Sequence, residues 1–226
     1  MFPTNLHTVV QVITMTDMTP TTRTRRDATE NRVALLDAAR VVLNRDPDAS
    51  LETIATEAGL SRRSVYGHFA NREELLRELI ARGAGTVGSA LQAIDHPDPV
   101  VRLALVAAHF WSEVRDIRLM TVIAVRGPLK QYSDESLRPM RETVLATITA
   151  GVDAGSVRSD IPAPLLARLV EDNLIAVLDE SNSHPLDDAA GHRLAILTIL
   201  GTLGFGWREA GEFIDAHDAL SLETTK

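Results

Sequence analysis

Apolar positions recur at helical spacing along most of the chain. Leu35, Leu36, Ala39, Val42 and Leu43 form a first stripe, the pattern of a helix that buries one face. Asp27 and Glu30 stand ahead of it at capping-box spacing, and Pro47 ends it. The pattern predicts a first helix from Asp27. Ser50 is a good N-cap for "LETIATEA", which buries Ile54, Ala55 and Ala58, and Gly59 follows where a C-cap takes left-handed backbone. Leu60 plugs the turn and Ser61 caps "RRSVYGHF". Asn71 and Glu74 form another capping box, launching a long helix through Leu75, Leu76, Leu79 and Ile80. Three helices within about 45 residues, two of them joined by a short turn containing Gly, predict a helix-turn-helix.

Beyond Asp95 the same periodicity continues. Pro97 and Pro99 separate the long helix from one over Val100–Val114, followed by Ile117–Val125. A longer helix is expected over Glu135–Asp153, with Pro139 near its start, and a turn from Gly155 to Pro162. Pro164–Glu180 carries apolar pairs, and Asp187–Trp207 is apolar almost all round and hence buried. Period-two alternation is absent over any useful length, so the fold class is all-α. The expected organisation is a flexible arm over residues 1–22, a DNA-binding unit over 23–82, and a helical ligand-binding and dimerisation bundle over 83–226. Met15 and Met18 are alternative starts to Met1.

Composition narrows the chemistry. The chain of 226 residues has no cysteine, which removes disulfides, thiol nucleophiles and thiolate metal sites and fits a reducing cytoplasm. The first Lys or Arg is Arg23, so the start is expected to lack the charged region of a signal peptide. The longest apolar stretch, Leu194–Trp207, is too short to span a bilayer. Net charge is −8, but unevenly placed: residues 22–82 are net +1 and the remainder net −9. That asymmetry points to a polyanion-binding unit on an acidic body.

Within the positive unit, Arg62 and Arg63 follow the Ser61 cap directly. Cations at a helix start oppose the backbone dipole, at a cost of about 0.3–1 kcal/mol each unless an anion compensates. DNA is the simplest such anion, because the second helix of a helix-turn-helix enters the major groove by its N-terminal residues. Val65 and Phe69 fall on the packing face, leaving Arg63, Ser64, Tyr66 and Gly67 outward. Arginine reads guanine through a bidentate fork. Gly67 lets the backbone approach the duplex, Tyr66 and His68 can donate to phosphates, and Ser50 and Ser61 lie at helix N-termini that favour phosphate. Arg23, Arg25 and Arg26 precede the first predicted helix; they are either a solvated tail or a basic arm reaching phosphates or the minor groove.

The run "TIATEAGLSRRSVYGHFANREELL" (Thr53–Leu76) resembles the DNA-binding signature of the tetracycline-repressor (TetR) family. The matching features are Ile54-Ala55, Ala58-Gly59, Ser61, Tyr66, His68-Phe69 and the Asn71-x-x-Glu74-Leu75 entry. The resemblance implies a homodimeric repressor released from a double-stranded DNA operator by a small-molecule inducer. It places Arg62, Arg63, Ser64, Tyr66, Gly67 and His68 on recognition-helix positions, and Arg72 where the family usually has a phosphate-contacting lysine. Arg63 stands where the family usually has a small residue or proline.

In the acidic part, His109, Thr121, Thr147 and Asn173 interrupt apolar helix faces. They are candidate orienting groups for a small, largely apolar ligand, with a satisfied core histidine as the bland alternative for His109. Dimerisation is expected through Pro164–Glu180 and Asp187–Trp207, where Gly201, Gly204 and Gly206 permit close helix approach. His184, Asp188 and His192 are a loose trio that falls short of a metal ligand set, so neither metal nor cofactor is expected. A helical-bundle enzyme is the competing class, but nucleophile elbow, phosphate loop and repeated Glu-x-x-His are all missing, so no catalytic residue is assigned. An architectural DNA-binding protein without ligand control is the third class. Roughly 140 C-terminal residues exceed what dimerisation needs and favour a sensor.

Overall fold

The computed structural model describes residues 20–127 and 129–222, with side chains from Asp27 onward. Residues 1–19, which include the alternative starts and most of the expected arm, lie outside the described residues, as do the side chains of Arg23, Arg25 and Arg26. The described residues form ten α-helices and no strand.

α1 (Pro20–Arg45) begins well before the expected Asp27. Proline suits the first helical turn, so Asp27 and Glu30 lie within the helix and residues 22–26 are helical backbone, not a free segment. α2 (Leu51–Glu57) and α3 (Arg62–His68) start at the expected caps. Ser50 Oγ accepts from the Thr53 N–H at 3.1 Å, and Ser61 Oγ accepts from the Ser64 N–H at 3.2 Å. Gly59 turns the chain between them at φ +67°, a backbone glycine adopts without Cβ strain. Asn71 caps α4 (Arg72–Gln92) by accepting from the Glu74 N–H at 2.9 Å. Leu35, Leu43, Ile54, Val65, Phe69 and Leu75 are fully buried where these four helices meet.

α4 runs on into the second unit and packs along α7 (Lys130–Asp153). α5 (Pro99–Val114) packs along α9 (Asp188–Leu203), and α8 (Ala163–Ser183) lies against both α7 and α9. α6 (Arg118–Arg126) bridges the units: Met120 is buried in the N-terminal core while its helix packs on α7 and α8. Beside it, Asn44 Nδ2 of α1 donates to the Asp116 carbonyl at 2.9 Å. At the centre of the bundle Trp111 sits on Gly191 so closely that a Cβ there would fall 1.9 Å from the ring.

Two further boundaries differ from the periodicity. α7 begins at Lys130, which puts Pro139 inside the helix instead of near its start. Pro139 occupies the exposed face, so the carbonyl that loses its helical donor is not forced into the core. The expected Asp187–Trp207 helix is broken at Gly204, which is left-handed at φ +113°, and α10 (Trp207–Asp215) starts separately and packs on α9. α9 is also not buried all round, since Leu194 is 39% exposed and Gly201 faces open space.

Candidate nucleic-acid interface and ligand cavities

α3 is held from behind. Val65 and Phe69 are fully buried, which turns Arg62, Arg63, Tyr66 and Gly67 outward. Arg32 of α1 locks this orientation. Its guanidinium stacks 4.2 Å from the Phe69 ring centroid, donates to the His68 carbonyl at 2.6 Å, and pairs with Glu78 of α4. One side chain thus ties the end of α3 to both flanking helices, and nothing in the local pattern around Arg32 had marked it.

Glu52 was equally unmarked. Its carboxylate accepts from the Tyr66 hydroxyl at 2.9 Å and lies 3.2 Å from Arg62. A hydrogen bond from its own backbone N–H, then the Tyr66 hydroxyl and Arg62, hold the Glu52 carboxyl below the usual carboxylate range. Part of the compensating anion expected from DNA is therefore supplied by the protein itself. Arg63 differs: it is exposed and has no hydrogen bond or ion pair among the described residues. Gly67 has nothing within 4 Å of an added Cβ, so the outer face of α3 is open to a close partner.

Ser50 and Ser61 spend their hydroxyls as caps, as above. Arg72 is placed differently from the expected phosphate contact. It is half-buried, its Nε donates to the Ala49 carbonyl at 3.0 Å, and its Nη2 donates to the Pro47 carbonyl. The guanidinium is committed to the loop between α1 and α2, because the first turn of α4 lies beside that loop.

In the second unit two cavities lie side by side. The larger one, about 200 Å³, sits among α5, α7 and α8 with Met140, Val144, Leu174 and Ile175 on its walls and Arg141, Arg168 and Glu171 at its rim. The smaller one, about 110 Å³, is bounded by the exposed Arg40 of α1, Leu79, Ile80 and the exposed Gly83 of α4, and Met120 and Thr121 of α6. Val87, Phe110, Val125 and Leu137 line both, so they form the partition.

Of the four polar ligand candidates, Thr121 alone lines either of these two cavities, and it donates to the Ile117 carbonyl at 3.1 Å. Thr147 is buried within α7 and donates to the Thr143 carbonyl at 2.8 Å. His109 is exposed, its Nδ1 2.9 Å from the Leu105 carbonyl. Asn173 donates to Thr202 Oγ1 at 2.9 Å, joining α8 to α9. The correction has one main cause. Polar side chains on helices satisfy themselves on the carbonyl one turn back, so polarity on an apolar face does not by itself mark a pocket. The Asp188 carboxylate takes the Trp111 indole N–H at 2.8 Å and pairs with Arg115, while His184 lies 3.4 Å from Glu180 at the end of α8. Among the described residues no group of three His, Cys, Asp or Glu could hold a metal ion. Likewise no described helix is long and apolar enough to cross a membrane.

Comparison with known proteins agrees with this layout. Residues 35–79 match the family described as bacterial regulatory proteins, tetR family. The chain is 30% identical over 169 residues to the HTH-type transcriptional repressor BepR of Brucella suis biovar 1 (strain 1330), covering 69% of this chain and 80% of BepR. Among solved structures, the transcriptional regulator FadR of Bacillus subtilis in complex with stearoyl-CoA superposes with a TM-score of 0.66 at 17% identity, over 76% of this chain and 97% of FadR. LfrR of Mycobacterium smegmatis in complex with proflavine gives 0.55 at 19% identity, over 80% of this chain and 97% of LfrR. At such identities the two structural matches speak for the fold.

Proposed function

Since the chain belongs to the TetR family of bacterial regulatory proteins and is a DNA-binding transcriptional regulator, not an enzyme, we propose that it is a homodimeric repressor released from a near-palindromic operator by a small molecule. Arg63, aided by Arg62, Ser64 and Tyr66, reads base edges, and Gly67 lets the backbone of α3 lie close to the duplex. The observation that carries this reading is the unpaired Arg63 on an outward face fixed by Val65, Phe69 and Arg32. The backbone donors of the capped starts of α2 and α3 fall to phosphates, and for the arginines at positions 23, 25 and 26 we propose contact with phosphates or the minor groove.

A single α3 reads one half-site, and two of them related by a two-fold axis read a palindrome at a spacing of ~34–36 Å or a multiple. The hairpin of α8 and α9 is our choice for the dimer interface, because Leu165 and Leu194 are 51% and 39% exposed there and Gly201 admits close approach. FadR and LfrR were solved with small molecules, and the same architecture here contains two adjoining apolar cavities. The smaller one touches α1, α4 and α6 together, so a ligand in it acts on the joint between the two units. Release requires differential affinity for the two arrangements, with a coupling of ~1–3 kcal/mol or about 5–150-fold. Calorimetry with a releasing compound tests this: the affinity for operator-bound protein should be lower by the same factor, and equal affinities would overturn ligand release.

A further inference from the structure

The outward face of α3 is split into two stripes of unequal freedom. Arg62 and Tyr66 stand one turn apart, and both are held on α2. Tyr66 donates to the Glu52 carboxylate at 2.9 Å, and Arg62 lies 3.2 Å from the same acid, its guanidinium 5.8 Å from the Tyr66 ring centroid. In a helix-turn-helix the first helix crosses the DNA backbone, so a stripe drawn toward α2 is drawn toward phosphates. Arg63 and Gly67, again one turn apart, form the second stripe. Arg63 is exposed and has no hydrogen bond or ion pair among the described residues. Gly67 presents no side chain and opens onto free space, so the next turn of α3 leaves room beside the Arg63 fork.

The free group on this face is a donor only, since a guanidinium accepts nothing. α3 holds no Asn, Gln, Asp or Glu, and its one aliphatic side chain, Val65, is fully buried. The carboxylate beside it, Glu52, is already engaged by Tyr66 and Arg62. In the major groove adenine and cytosine each show an amino donor, which calls for an acceptor, and thymine shows a methyl group beside one acceptor. Guanine alone shows two acceptors, O6 and N7, with no donor. The free fork of Arg63 therefore matches guanine and no other base. Ser64 and His68 can each donate or accept. Ser64 suits any base edge and so discriminates little, and His68 ends the helix, away from the N-terminal residues that reach base edges.

We propose that Arg63 reads one guanine in each half-site through O6 and N7, while Arg62 and Tyr66, kept beside Glu52, serve the adjoining phosphates. In a two-fold dimer the two guanines lie on opposite strands at symmetry-related positions. The pairs between them are chosen by shape and deformability. This inference rests on the reading of α3 as the DNA-reading helix and names the base chemistry that it reads.

The test uses the full chain. Duplexes that it prefers are selected from a randomised pool, and each guanine of the selected sequence is then replaced in turn. 7-Deazaguanine loses the N7 acceptor and keeps base pairing. Hypoxanthine keeps O6 and N7 and loses the minor-groove amino group. Anisotropy titrations at fixed salt give the affinities. One symmetry-related pair of guanines should respond to 7-deazaguanine, with a loss of about tenfold or more per half-site, and should tolerate hypoxanthine. Exchange of the same G·C pair for A·T should cost about 5–150-fold per half-site. In Arg63→Ala the 7-deazaguanine penalty should vanish. In Arg62→Ala it should persist while affinity falls on all duplexes alike. Arg63 has no hydrogen bond or ion pair to lose, so its replacement leaves the fold intact. A penalty that persists in Arg63→Ala, a penalty that vanishes in Arg62→Ala instead, or a selected sequence in which no guanine responds to the loss of N7 would overturn the guanine assignment and leave specific binding by the chain standing. A pool that yields no preferred sequence would overturn the operator-binding reading, and this assignment with it.

Discussion

Tyr66 donates its phenolic hydrogen to Glu52 across 2.9 Å, and Arg62 approaches the same carboxylate at 3.2 Å. Two outward groups of α3 are thus held on α2 by one acid. To engage DNA, Arg62 must exchange a protein carboxylate for a phosphate or a base edge. Glu52→Gln keeps a hydrogen-bond acceptor for Tyr66 and removes the competing charge. It should tighten binding to all DNA sequences severalfold and steepen the salt dependence, because one more cation is free to displace counterions. Anisotropy titrations at several salt concentrations check this; an unchanged slope would mean that Arg62 does not meet the duplex.

Arg72→Ala should act on folding before it acts on DNA. The side chain donates to the carbonyls of Pro47 and Ala49, and removing it leaves two loop acceptors without their charged donor. Loss of about 1–3 kcal/mol is expected, seen as a lower unfolding midpoint of the DNA-binding unit. A variant of wild-type stability with a shallower salt slope would return Arg72 to the role of a phosphate contact.

The local part of the fold was legible because its signals are local. Ser50, Ser61 and Asn71 cap helices within three residues of themselves, and Gly59 marks its own turn. The helix ends that depend on distant packing were not. Gly204 ends α9 where the Arg158 N–H donates to the Leu203 carbonyl at 3.0 Å, a contact between segments far apart in sequence. Pro139 looked like a helix start and is tolerated mid-helix because its face is solvent. The outward face of α3 followed from periodicity, whereas Arg32 and Glu52 act across 36 and 14 residues and left no trace in spacing. The cavity walls are ordinary apolar core residues, indistinguishable by type from filled core.

The proposed interface makes a direct prediction. Leu194→Arg places an unpaired charge on α9 at a position already 39% exposed in the protomer. If that face is buried between two copies, association should weaken by about 3–5 kcal/mol. Sedimentation at micromolar concentration should show two chains per particle for the native protein and one for the variant. A variant that remains fully paired would place the interface elsewhere.

His192 sets an acid limit on stability. Burial pushes its imidazole below the ordinary value, and the nearby charge of His109 adds to this, while Asp188 opposes it. A histidine with a depressed folded-state pKa contributes stability that is complete above its ordinary pKa of about 6.5 and is lost as pH falls through the folded value. The unfolding midpoint should therefore begin to fall as pH drops below about 6.5, before most carboxylates titrate. His192→Leu should flatten that part of the profile. An identical slope in wild type and variant would assign the loss to other groups.

The most direct test of the central claim is binding of the wild-type chain and Arg63→Ala to the DNA upstream of its own gene, titrated against salt and against scrambled DNA of equal length. The wild type should prefer the upstream sequence. Arg63→Ala should lose about 1–3 kcal/mol on it and relax base preference at one or two symmetry-related positions, with little change on scrambled DNA. Equal affinity and unchanged preference in the two proteins would contradict the assignment of α3 as the element that reads DNA.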